Sequence, residues 1–153
     1  MERTPVTSPG VDIAAVFGPL DEAATAAVFT DLGRAEKELF ALRDRLEAAS
    51  SPTWTCDGVC LDTFPSGQAS ISGYVENDEL CFWAEIEQLS SETWEVSARV
   101  YRHASEGSLT AADLPDRRCE SPEDAAAAFS AAVDELAALA NSRPPDTSSW
   151  PAT

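Results

Sequence analysis

The chain has 153 residues, 44% of them hydrophobic and 24% charged, a balance that suits one folded domain around a single core. Its formal net charge of -17 argues against binding to phosphate backbones or anionic lipid surfaces, because both need clustered Lys and Arg. It has no unbroken apolar run of membrane-spanning length, and MERTPVTSPGVD lacks the basic, apolar, small-residue order of a secretory signal, so the protein is expected in the cytoplasm.

Residues 1–10 hold two Pro, a Gly and several Ser and Thr, and are read as a frayed lead-in. Asp21 is placed to cap a long helix in which Val28, Leu32, Ala35, Leu39, Leu42 and Leu46 recur at alternating steps of four and three, one stripe of a helical face. Phe29 and Phe40 flank the stripe and widen it. The seam is too short for a trusted coiled coil, so packing on the chain's own sheet is favoured, and Ser50-Ser51-Pro52 ends the helix.

Four strand patterns follow. Val59, Leu61 and Thr63 alternate with Cys60, Asp62 and Phe64, and Pro65-Ser66-Gly67 turns the chain. Ala69, Ile71, Gly73 and Val75 alternate with Ser70, Ser72, Tyr74 and Glu76. Leu80, Phe82, Ala84 and Ile86 alternate with Cys81, Trp83, Glu85 and Glu87; Trp94, Val96, Ala98 and Val100 alternate with Glu95, Ser97, Arg99 and Tyr101. Paired residues share a face, so each loop is tested by the parity it imposes. An Asn77-Asp78 loop sets Val75 against Leu80, Gly73 against Phe82 and Ile71 against Ala84, apolar to apolar. A two-residue Ser90-Ser91 loop would set Glu87 against Trp94 and is rejected. Loops of three or five residues keep the parity, the first setting Glu85 opposite Glu95 and the second Trp83 opposite Arg99.

His103 to Glu120 reads as a long connection with a single helical turn at Thr110–Asp113. Ser121-Pro122-Glu123-Asp124 then opens a helix: a Ser cap, Pro at the first helical position and acids in the first turn. Phe129, Val133, Leu136 and Ala140 form its stripe, and Asn141 with Pro144-Pro145 stops it. The expected fold is α+β in two layers: a four-stranded antiparallel meander packed on a long N-terminal helix and a C-terminal helix. The domain spans 11–142, preceded by the flexible segment 1–10 and followed by a flexible Pro/Ser-rich tail, 143–153, that carries Trp150.

Chemistry is sparse. Cys56, Cys60, Cys81 and Cys119 lack a secretory context and are read as reduced thiols. Cys56 and Cys60 have zinc-like spacing, but Cys81, His103 and Cys119 are scattered, and on one strand the first two would lie roughly 13 Å apart, too far for one ion. Arg117-Arg118-Cys119 precedes a helix N-terminus, which favours a thiolate, yet Glu120 and Asp124 oppose it and no glycine-rich anion loop follows. His103 is the lone imidazole and no Gly-x-Ser-x-Gly is present, so triad chemistry is excluded. Glu85 and Glu95 share a face as a carboxylate pair, which on an open sheet reads as solvated surface. No metal or cofactor is expected, and an enzyme is the minority reading.

What remains is the sheet's outer face. From Glu47 to Ala98 the chain has no Lys or Arg, while Asp57, Asp62, Glu76, Glu85, Glu87 and Glu95 lie within that stretch. On this face Tyr74, Trp83 and Tyr101 stand among Glu85, Glu95 and Arg99, the residue types that concentrate in binding patches. Either a partner covers these rings, or residues 11–20 or the Trp150 tail do, or a second copy does. The leading expectation is a non-catalytic acidic module that binds a basic or mixed-charge protein. The alternative is a small-ligand binder with a pocket between sheet and helices, and nucleic-acid mimicry by the carboxylates is a third. Small acidic α+β proteins of this shape recur among secretion chaperones and toxin-neutralising immunity proteins, a likeness of fold alone. The single Lys37 among ten basic residues, with abundant alanine, is the bias of a GC-rich genome and points to a bacterial source.

Overall fold

The computed structural model describes residues 2–6, 11–49, 53–104, 107–144 and 150. It is α+β, with an antiparallel sheet backed on one face by helices. The long helix and the C-terminal helix stand where their sequence signals place them. Helix α2, Glu22–Ala49, follows β1 (Glu2–Pro5) and the short α1 (Ala14–Phe17), and starts where Asp21 Oδ1 accepts the Ala24 N–H at 2.7 Å. Its buried residues are the stripe Val28, Leu32, Ala35, Leu39, Leu42 and Leu46. Helix α3, Pro122–Asn141, starts where Ser121 Oγ accepts the Asp124 N–H at 3.1 Å, and it buries Phe129, Val133, Leu136 and Ala140.

Among the described residues the sheet has seven strands rather than four. The four expected ones are β2 (Val59–Thr63), β3 (Ala69–Glu76), β4 (Leu80–Ser90) and β5 (Thr93–Ala104), consecutive neighbours in a meander. Strand β1 adds an edge on β2, with Arg3 opposite Asp62, so residues 2–5 are a strand where the sequence reads a lead-in. The amide of Val6 donates to the Val59 carbonyl at 3.0 Å and continues that pairing. Residues 7–10 lie outside the described residues. On the far side β6 (Gly107–Asp113) and β7 (Arg117–Cys119) lie end to end along β5, where a connection and a helical turn were expected. The length of β5 is the cause: its backbone offers a pairing edge long enough for both segments, and using it satisfies their N–H and C=O groups.

Both hairpins keep the parity, and one shifts. Val75 pairs with Phe82, Gly73 with Ala84 and Ile71 with Ile86, two residues away from the expected register. Asn77 is the reason. Its Oδ1 accepts the Glu79 and Leu80 amides, each at 2.8 Å, so the loop is Asp78-Glu79 with Asn77 as its side-chain brace. In the next hairpin Trp83 faces Arg99, as a five-residue loop would set it, but an irregularity between Gln88 and Ser90 lets Ser90 pair with Thr93, so the loop is the two residues Ser91-Glu92.

The core lies between the sheet's inner face and α2 and α3. Phe82 is wholly buried, with the Trp54 ring centroid at 6.1 Å and the Trp150 ring edge-on at 5.3 Å. Trp94 donates from Nε1 to the Val16 carbonyl at 2.8 Å and meets the Phe17 ring at 6.2 Å. Gly73 leaves room for α2: a Cβ there would stand 2.5 Å from Leu39 Cδ1. Trp150, read as part of a flexible tail, is instead a core residue.

Candidate functional site

Because β-strand side chains alternate, the residues that send Phe82, Ala84 and Ile86 inward send Trp83, Glu85 and Glu87 outward. The register then decides which of the outward residues meet. Tyr74, Trp83 and Arg99 form one cross-strand row, continued by Asp113. The next row holds Ser72, Glu85 and Ser97, and beyond it Glu87 faces Glu95. Tyr101 lies beside Trp83, ring centroids 6.0 Å apart and tilted by 56°. All six sequence-selected residues, Tyr74, Trp83, Glu85, Glu95, Arg99 and Tyr101, are therefore on one face, each partly buried. Glu85 and Glu95 do not face each other as a pair: Glu85 is opposite Ser97.

The segments expected as covers lie elsewhere. Phe17 packs on Trp94, and Trp150 on Phe82, both on the inner side. The buried stripes of α2 and α3 join that same inner core, and no described element lies over Trp83.

Strand β1 adds residues that sequence reasoning missed. The Arg3 guanidinium carbon sits 4.5 Å from the Tyr74 ring centroid, its Nε is 3.0 Å from Asp62 Oδ1, and its Nη2 donates to Ser72 Oγ at 3.4 Å. Ser72 in turn donates to Asp62 Oδ2 at 2.5 Å, and Tyr74 donates to Asp57 Oδ2 at 3.0 Å. Burial, then the Asp57 hydrogen bond, pushes the Tyr74 hydroxyl up to about 12. Arg3, Asp62, Ser72 and Tyr74, together with Cys81, Trp83 and Glu85, line a cleft of about 470 Å3 on the outer face. The sequence signals for them were the polar alternation of Asp62 in β2 and of Ser72 in β3. Arg3 had none, because its partner stands far along the chain.

Most acids on this face are paired. Glu76 is 3.3 Å from His103 Nε2, Glu95 is 3.6 Å from Arg118 Nε, and Asp113 is 2.8 Å from Arg99 Nε. Glu85 has no basic group within ion-pair distance among the described residues. Burial first, and then the Glu87 charge, pushes its carboxyl up to about 7 from 4.5. A raised carboxyl pKa means the folded chain holds this proton more tightly than the unfolded one. Its stabilising contribution is thus full below the unfolded value and is lost as pH rises to about 7. Glu85→Gln should accordingly raise the melting temperature relative to the wild type at pH 8 and much less at pH 5. Melts at the two values check it, and an equal offset at both would show that Glu85 titrates normally.

The thiols offer no comparable chemistry. All four cysteines are free, and burial raises the pKa of each, with Cys81 reaching about 12 and Cys119 raised further by Asp124. Gly58, at φ +78°, breaks the chain direction between Cys56 and β2, and no group of metal-competent side chains forms among the described residues. No helix among them is long and apolar enough to cross a membrane.

No protein-family model matches the chain, and neither a curated protein nor a solved structure is significantly similar to it.

Proposed function

We propose that this chain is a non-catalytic binding module whose outer sheet face docks a basic or mixed-charge protein. The observation that carries this reading is the sidedness of the sheet. The helices, Phe17 and Trp150 pack on the inner face, while three aromatic rings and a carboxylate array share the other. Rings supply contact area that anchors a complex, and the acids steer a cationic surface toward it. A second copy is a poor occupant, since it would bring the same acids against themselves. Phosphate backbones and anionic lipids are repelled for the same reason. The role is of the sequestering kind that chaperones and immunity proteins perform, in a reducing cytoplasm that suits four free thiols.

The test compares proteins retained from the native host by tagged wild type and by Trp83→Ala, followed by kinetics on the purified partner. Trp83→Ala should weaken binding roughly 30-fold, the scale of a hot spot, mainly by faster dissociation. Changing Glu85 and Glu95 together to Gln should instead slow association and flatten its salt dependence. Full retention by Trp83→Ala, or unfolding of that variant, would sink the reading.

A further inference from the structure

We infer that the cleft around Glu85 is an arginine subsite: it takes the guanidinium of an arginine side chain of the protein partner, with Glu85 and Glu87 as counter-charges and the Trp83 ring as the stacking surface. This rests on the outer face being the docking surface and names the chemistry of its anchor.

Several acids of the outer face have a basic side chain of the chain's own within ion-pair distance. Asp62 has Arg3, Glu76 has His103, Glu95 has Arg118 and Asp113 has Arg99. Glu85 has none within ion-pair distance among the described residues, and Glu87 accepts only the Gln68 amide, at 3.4 Å. Arg99 stands across from Trp83, but Asp113 and the Tyr101 hydroxyl engage its guanidinium. A half-buried carboxylate without a counter-charge is costly, and a cation brought by a partner relieves that cost.

The cleft already shows which cation it accepts. Arg3 lies in it with its guanidinium over the Tyr74 ring and against Asp62 and Ser72. Trp83 is the cross-strand neighbour of Tyr74, and Glu85 that of Ser72, so a ring and a carboxylate recur one strand further on. A guanidinium suits this setting better than an ammonium, because it is planar, weakly hydrated and able to donate to two carboxylates while lying on a ring. The high carboxyl pKa of Glu85 agrees, since burial and the Glu87 charge disfavour its ionised form more than Ser70 and Arg99 favour it.

The experiment uses the full chain and three blocked tripeptides, Gly-Arg-Gly, Gly-Lys-Gly and Gly-citrulline-Gly, titrated at low salt while the Trp83 indole and Glu85 carboxyl NMR signals are followed. The arginine peptide should move both signals saturably and bind about tenfold or more tightly than its citrulline analogue, with the lysine peptide between them. Glu85→Gln should abolish the preference, and Glu123→Gln, in the exposed first turn of α3 and outside the docking face, should retain it. Equal binding of arginine and citrulline, or a preference that survives Glu85→Gln, overturns the subsite. If the subsite fails in this way while a partner still requires Trp83, the docking face stands without it. If the arginine preference holds at Glu85 while partner capture ignores Trp83, the docking reading fails, and with it the assignment to a protein's arginine, leaving a site for small cations.

Discussion

Truncating Phe82 to Ala should cost about 3–5 kcal/mol of stability, measured by denaturant unfolding. The side chain is wholly buried and held between the Trp54 and Trp150 rings, so its removal loses both transfer energy and ring contacts. Neighbours cannot easily refill the space: Trp94, at another part of the core, is tied to the Val16 carbonyl, and the backbone at Phe82 is fixed by pairing to Val75 and Val100. A loss under about 1 kcal/mol, the scale of a surface change, would mean that Phe82 does not face the core. That result would invert β4 and put Trp83 inside. The variant therefore tests the functional reading as well as the fold, because Trp83 is on the outer face only if Phe82 is on the inner one.

That dependence explains how far the sequence was legible. Alternation in β3, β4 and β5 assigns each residue to a face, and a shift of two residues leaves the assignment intact. Tyr74, Trp83, Glu85, Arg99 and Tyr101 could thus be placed together although the first hairpin's loop was located wrongly. The loop position depended on a side chain, Asn77 Oδ1, bonding two amides beyond it, which alternation does not encode. Strands β6 and β7 escaped notice because Gly107–Asp113 is largely exposed and Arg117–Cys119 is three residues long, so neither has a periodic apolar signal. Strand β1 and Trp150 depend on partners distant in sequence: Arg3 finds Asp62, and Trp150 finds Phe82. For the site, this means that the rings and acids of the meander were visible in advance. The resident guanidinium was not, and with it the contrast between paired Asp62 and unpaired Glu85 was hidden.

The second large effect expected is at Trp150. Its ring is fully buried, edge-on to Phe82 at 5.3 Å, with Nε1 donating to the Pro144 carbonyl at 3.1 Å and the Arg143 guanidinium carbon 4.7 Å from the ring centre. Trp150→Ala should cost about 3–5 kcal/mol, as for other large rings removed from a core. Trp150→Phe should recover part of it, since the apolar contact survives while the hydrogen bond is lost. The double variant with Phe82→Ala should be less destabilised than the sum of the two singles, by about 0.5–1.5 kcal/mol, because the first truncation already removes the ring pair that the second would break. Additive losses would place the two side chains apart. A neutral Trp150→Ala would go further: Trp150 would then be free of the inner core and available to lie over Trp83. In that case the outer rings would have a cover within the chain itself, and the sidedness that marks this face for a partner would be gone.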